Sequence, residues 1–178
     1  GCIGLTSISI TEFVRSIVVY AFSGCSGLSS ITIPDSVAKI GDYAFYGCTG
    51  LTSITIPDSV TSIGMSAFSG CSNVKSIAIP KGVKYIEDSA FYDCSKLENL
   101  AIKGAERLYE SCFSNCNSLK NIYFSKDLKT VYNGAFGRIN SIENIYYEGS
   151  EEEWNAVTIL PNNDALKKAN VYFNSTGI

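Results

Sequence analysis

Apolar and polar residues along this chain keep returning in one frame. The pair Ala-Phe falls at 21–22, 44–45, 67–68, 90–91 and 135–136, and Cys112-Phe113 fills the one place left over, so the period is 23 residues and once 22. Aligned on that pair, the chain divides into units 5–27, 28–50, 51–73, 74–96, 97–118 and 119–141, and a seventh starts at Ile142 before the sequence changes character. One unit of this length cannot bury its own apolar face. Stacked units can, which makes the fold a solenoid.

Unit 28–50 predicts the shape of each coil. Leu28, Ile31 and Ile33 are first spaced and then alternate, as in a short strand with one buried face. Pro34-Asp35-Ser36 ends that strand, because proline has no N–H for a ladder and Asp and Ser favour turns. Val37 and Ile40 point inward on the return path, and Asp42 to Tyr46 is long enough for one helical turn that buries Ala44 and Phe45. The position after that turn reads Gly24, Gly47, Gly70, Asp93 and Asn115, residues that enter the left-handed backbone region readily, and Arg138 departs. Stacking sets Leu28 on Leu51, Ile31 on Ile54 and Phe45 on Phe68, with strands about 4.8 Å apart.

The run Leu-x-x-Ile-x-Ile-Pro-x-x-Val-x-x-Ile-Gly-x-x-Ala-Phe-x-Gly-Cys, read at 28–48 and 51–71, resembles the BspA-like (Treponema-type) leucine-rich repeat. The resemblance covers residues 1 to about 147, and the segment from Tyr147 to Trp154 is similar to the one that closes many such arrays. The expected fold class is therefore an α/β repeat solenoid, a right-handed leucine-rich-repeat array with one short parallel strand and one short helical turn per 23-residue coil. The array takes 1–147 and a C-terminal cap takes 148–178. The resemblance also implies a secreted or surface-attached protein of bacteria, or of some mucosal protists, that binds proteins or adheres to hosts. Unit 97–118 is one residue short and carries Lys103 and Ala105 in the region of the Pro and Val, so a local kink is expected there.

The two ends read differently. Ser150 ahead of Glu151, Glu152 and Glu153 is a capping-box pattern, with Trp154 and Val157 placed to cover the last coil. Residues 164–169 suggest a second short helix and Val171-Tyr172-Phe173 a final strand. At the other end Gly1-Cys2 aligns with Gly24-Cys25, so the array is expected to be N-terminally truncated, with its first coil uncapped. Phe13, Val18 and Val19 stand where later units carry polar or small residues, such as Ser36 and Gly41-Asp42. Either they leave an apolar patch suited to end-to-end self-association, or the first unit bends differently and tucks them inward.

Composition narrows the chemistry. Of the 178 residues 46% are hydrophobic and 17% charged, and 14 Lys and Arg against 17 Asp and Glu leave a net charge of −3, with no basic block to follow a phosphate backbone. Nucleic acid is not an expected partner. No apolar run approaches the roughly 20 residues needed for membrane insertion. Histidine is absent, which removes the usual general base, the usual metal ligand and every Ser-His or Cys-His pair. The chain reads as not an enzyme, with no catalytic, cofactor or metal site. Cys2, Cys25, Cys48, Cys71, Cys94 and Cys116 share one repeat position beside the buried Phe, where small thiols pack well. Their spacing lies inside the disulfide range, but parallel Cβ vectors disfavour bonding. Cys112 replaces an alanine and should be buried too. Glu148, Glu151, Glu152, Glu153 and Asp164 match no metal loop.

The outward positions of the strand form three columns. One reads Ser7, Ser30, Ser53, Ser76, Asn99, Asn121, Asn144; another reads Thr6, Ser29, Thr52, Lys75, Glu98, Lys120, Glu143; the third reads Ser9, Thr32, Thr55, Ala78, Ala101, Tyr123, Tyr146. Small hydroxyls therefore grade into tyrosines flanked by charges and amides, which reads either as a contact patch for a protein or glycan ligand on a host or neighbouring cell, or as ordinary ladder packing. The candidate binding residues are Lys120, Asn121, Tyr123, Glu143, Asn144 and Tyr146. The expected function is a non-catalytic extracellular protein-binding or adhesion module, secreted or on the cell surface. The alternative is a structural spacer or accessory domain with no ligand of its own.

Overall fold

The computed structural model describes residue 2 and residues 4–177, and it shows a parallel β-solenoid. In chain order the elements are β1 (Ser7–Ser9), β2 (Ser16–Ile17), β3 (Ser30–Thr32), β4 (Lys39–Ile40), β5 (Ser62–Ile63), β6 (Ser76–Ile79), β7 (Tyr85–Ile86), β8 (Asn99–Ile102), β9 (Arg107–Leu108), β10 (Asn121–Phe124), β11 (Thr130–Val131), β12 (Asn144–Tyr147), α1 (Glu151–Asn155), β13 (Thr158–Ile159), α2 (Asp164–Lys168) and β14 (Asn170–Tyr172). They lie on two faces of the coil. The first face holds the pair β1-β3 and the run β6-β8-β10-β12-β14; the second holds β2-β4-β5 and β7-β9-β11-β13. The second face is more than the return path read from Val37 and Ile40, since two residues per coil suffice to make a ladder with the next.

The third face carries the expected turns, but they do not close into helices. Ala44 N–H bonds to Gly41 C=O and Tyr46 N–H to Tyr43 C=O, at 3.3 and 3.1 Å, as consecutive tight turns. Tyr43 and Gly47 sit in the left-handed region, with φ of 55° and 67°, and so interrupt the right-handed path a helix needs. The alternation aims every second N–H at the next coil: Tyr43 to Met65 C=O, Phe45 to Ala67 C=O and Gly47 to Ser69 C=O, at 2.9, 2.7 and 2.8 Å. A helix would spend those donors within the coil. Arg138 keeps the left-handed conformation, with φ of 59°, although its residue type departs. A second left-handed column, Tyr20, Tyr43, Ser66, Ser89, Ser111 and Gly134, carried no signal in residue type.

The core is a set of continuous columns. Rings of Phe22, Phe45, Phe68, Phe91, Phe113 and Phe136 stack at 5.1–5.3 Å between centroids. Cys25, Cys48, Cys71, Cys94, Cys112 and Cys116 are buried free thiols. Cys2 shares the repeat position but is exposed, because no coil among the described residues lies against its outer side.

Continuity differs from the expectation in one respect. The shortened unit 97–118 is fully laddered: β8 pairs with β6 and β10, and β9 with β7 and β11. The missing residue falls in the connection between β8 and β9. Gly104 takes up the shortening, since a Cβ there would collide with the Lys81 backbone. The first face is interrupted instead on both sides of unit 51–73, which contributes no strand to it, and the second face between units 51–73 and 74–96. Neither face has a ladder bond between these two units among the described residues. The third face still joins those units, through Ser66 to Asp88, Phe68 to Ala90 and Gly70 to Tyr92, at 2.8–3.0 Å.

The closing segment follows its expected elements and extends both faces, β13 beside β11 and β14 beside β12. Ser150 and Glu153 form the reciprocal capping box of α1. Trp154 packs on Phe124 and Tyr147, with centroids at 5.9 and 5.2 Å.

Candidate ligand-binding face

Register on the first face is set by burial, because a slip of one residue would turn Ile122 and Ile145 outward. Those two residues are fully buried and paired, which puts Asn121 beside Asn144 and Tyr123 beside Tyr146 on the outer side. The structure thus brings four of the candidate residues together. It also adds a member the sequence reading did not place: Tyr172 pairs with Tyr146, and their rings stack at 5.2 Å and 18°. Tyr172 lies outside the repeat period, so no spacing pointed to it.

The asparagines are committed to each other. Asn121 Nδ2 donates to Asn99 Oδ1 at 2.9 Å, and Asn144 Nδ2 donates to Asn121 Oδ1 at 3.0 Å. Each amide is locked in orientation, and its remaining N–H and lone pair face outward. Lys120 and Glu143 form an ion pair at 4.0 Å with both side chains more than half exposed, a contact worth little by itself. Tyr123 is half-buried, and burial followed by the nearby Glu148 charge pushes its phenol above the ordinary value, so it acts as a neutral donor. Towards the other end, where the ladder is interrupted, a cleft of about 580 Å³ lies over Ile54, Thr55, Ser76, Ala78, Asn99 and Ala101.

A second aromatic row stands on the other sheet. Tyr85, Tyr109 and Tyr132 follow one another at 6.4 and 5.0 Å, and the Arg107 guanidinium lies 5.6 Å over the Tyr85 ring. Comparing residues 23 apart on the return path would have found Tyr109 and Tyr132, whereas Tyr85 precedes Tyr109 by 24 and stands opposite Arg107 in the register. The cysteine column offers no nucleophile: the thiols of Cys48, Cys71, Cys94 and Cys116 each donate to the carbonyl of a Phe in the preceding coil, at 3.0–3.4 Å.

The family model for the BspA type leucine rich repeat region matches in six copies, over residues 1–103 and 39–158. The chain belongs to that family. This BspA-type array is 35% identical to a leucine rich cell surface protein from Faecalibacterium prausnitzii, over 86% of this chain and 35% of that one, with a TM-score of 0.67. It is 27% identical to a T. pallidum leucine rich repeat protein, over 96% of this chain and 74% of that one, with a TM-score of 0.75. The pneumococcal vaccine antigen PcpA, at 22% identity over 88% of this chain and 41% of its own, shares the fold with a TM-score of 0.69. The BspA-type array thus spans about a third of the length of the Faecalibacterium protein. No curated protein matches it. Among the described residues, no helix is long and apolar enough to cross a membrane.

Proposed function

We propose that this BspA-type array is a non-catalytic, extracellular protein-binding module that engages its ligand through the C-terminal end of the first face. The observation that carries this reading is the tyrosine column Tyr123, Tyr146 and Tyr172 standing beside an amide ladder whose side chains are already locked. Aromatic anchors beside fixed polar groups bind at low entropic cost, because little is ordered on contact. The surface location rests on the Faecalibacterium relative being a cell surface protein.

The test is binding of the purified chain to immobilised extracellular-matrix proteins. Tyr146→Ala should weaken capture by about 1 kcal/mol or more, while Thr32→Ala on the same face should leave it unchanged. Equal effects at both positions would remove the localised patch, and no capture of any matrix protein would favour the spacer reading. The exposed Phe13, Val18 and Val19 support a further contact of the same array, end to end with a second copy.

A further inference from the structure

The third face ends in an irregularity. In five successive coils the residue after the buried turn sends its N–H to a carbonyl of the next coil: Gly24 to Tyr46, Gly47 to Ser69, Gly70 to Tyr92, Asp93 to Ser114 and Asn115 to Gly137, at 2.6–3.1 Å. Arg138 repeats the conformation, but no such turn follows it, and its N–H has no acceptor among the described residues. A polar cavity of about 440 Å³ opens at that place, lined by Glu110, Asn133 and Arg138 from the last coils and by Asn162, Asp164 and Lys168 from the closing segment. That volume lies within the range of small-molecule sites, about 300–1,000 Å³.

Two departures of the sequence from its own repeat line this cavity. Arg138 replaces the Gly, Asp or Asn of its column, accepting a left-handed backbone that a long side chain adopts only at a cost. Gly134 replaces the Tyr or Ser of the other left-handed column and leaves the wall bare. A Cβ there would meet nothing closer than Asn162 Cβ at 3.9 Å, so this glycine answers to its left-handed φ of 62° and not to crowding.

The groups present select a ligand class. The Arg138 N–H and guanidinium and the Lys168 ammonium are donors, and neither side chain is held by an ion pair among the described residues. Together they suit one carboxylate. Asn162 Nδ2 donates to Asn133 Oδ1 at 2.8 Å, which leaves one amide NH₂ and one amide oxygen for hydroxyls. Glu110 and Asp164 accept from hydroxyls and repel a densely charged anion such as a polysulfate. We infer that this cavity binds an acidic monosaccharide unit, a single carboxylate on a polyhydroxylated ring, at a site separate from the first face and independent of the protein-binding reading.

Titration of the chain with N-acetylneuraminic acid and with glucuronic acid, followed by backbone amide NMR shifts, tests the inference, with glucose as the neutral control. At least one acidic sugar should shift the amides of Arg138 and Gly134 at millimolar concentration, and glucose should not. Arg138→Gly restores the residue type of the repeat, so the fold should persist with an unfolding temperature no lower than before, while binding weakens by about tenfold or more. Gly134→Ser, the residue of three earlier coils, should weaken binding by filling the wall. Absence of binding by both acidic sugars, equal binding of glucose, or unchanged affinity in Arg138→Gly would overturn it.

Discussion

At the scale of single residues, the thiols show how stacking changes chemistry. Burial pushes Cys48 up from 9.0 to about 11 and raises Cys71 and Cys112 as well, while the neighbouring Cys116 thiol and burial raise Cys94. In the unfolded chain these groups lose their protons near pH 9, but in the native chain Cys48 holds its proton to about pH 11. Above pH 9 the unfolded state therefore binds fewer protons, and stability must fall as pH rises. The urea midpoint should be flat up to that pH and then drop, with a shallower drop in Cys71→Ala. Thiol titration of the reduced protein at neutral pH should find Cys2 fast and the six buried thiols slow, all becoming reactive in denaturant. Rapid native reaction of several thiols would contradict the buried column. Asn163 is the other telling residue. It is fully buried; its Oδ1 accepts Phe136 N–H at 2.9 Å, and its Nδ2 donates to the carbonyls of Tyr132 and Leu160 at 2.8 and 2.9 Å. The side chain thus supplies the acceptor that the next coil gives elsewhere, as Ala135 does for Phe113. Asn163→Ala should cost about 3 kcal/mol in chemical denaturation, because buried backbone groups lose their partners.

Among elements, the junction between units 51–73 and 74–96 stands apart. The stretch Leu-x-Ser-Ile-Thr-Ile-Pro-Asp-Ser-Val is common to units 28–50 and 51–73, so its own residues do not account for the missing ladder. The following unit differs where it meets them. Ser36 Oγ donates to Val14 C=O at 2.7 Å and Ser59 Oγ to Val37 C=O at 2.8 Å, whereas Gly82 has no hydroxyl to give Val60. Native-state hydrogen exchange should read this directly. Amides of β6 that face the junction, such as Ser76 and Ala78, should exchange about tenfold or more faster than Asn121 and Tyr123, which bond within a continuous ladder. Equal protection would mean that the junction closes in solution.

For the whole molecule, the two ends contrast. Ala165 and Leu166 of the closing segment are buried in the core, while Phe13, Val18 and Val19 at the other end are 90%, 65% and 52% exposed. The inward-tucked arrangement of the first unit is thus not the one observed. An apolar group of this kind favours association. Sedimentation of this chain should show a concentration-dependent dimer that is lost in Val18→Ser, Val19→Asp, and identical monomers at every concentration would dismiss the end-to-end contact.

The 23-residue frame by itself determined the inward set, the strand on the first face and the stacking of like on like, since only stacked coils can remove those apolar columns from water. The column Tyr123 and Tyr146, with Asn121 and Asn144, was legible for the same reason: residues one period apart must be neighbours. The tertiary structure alone decided what depends on hydrogen bonds between coils. Left-handed residues direct alternate N–H groups at the next coil, so the turns remain turns. Two residues on the return path become a sheet only when the next coil lies beside them. Tyr172 joins the tyrosine column because the closing segment comes back as a parallel strand, a pairing that no periodicity encodes.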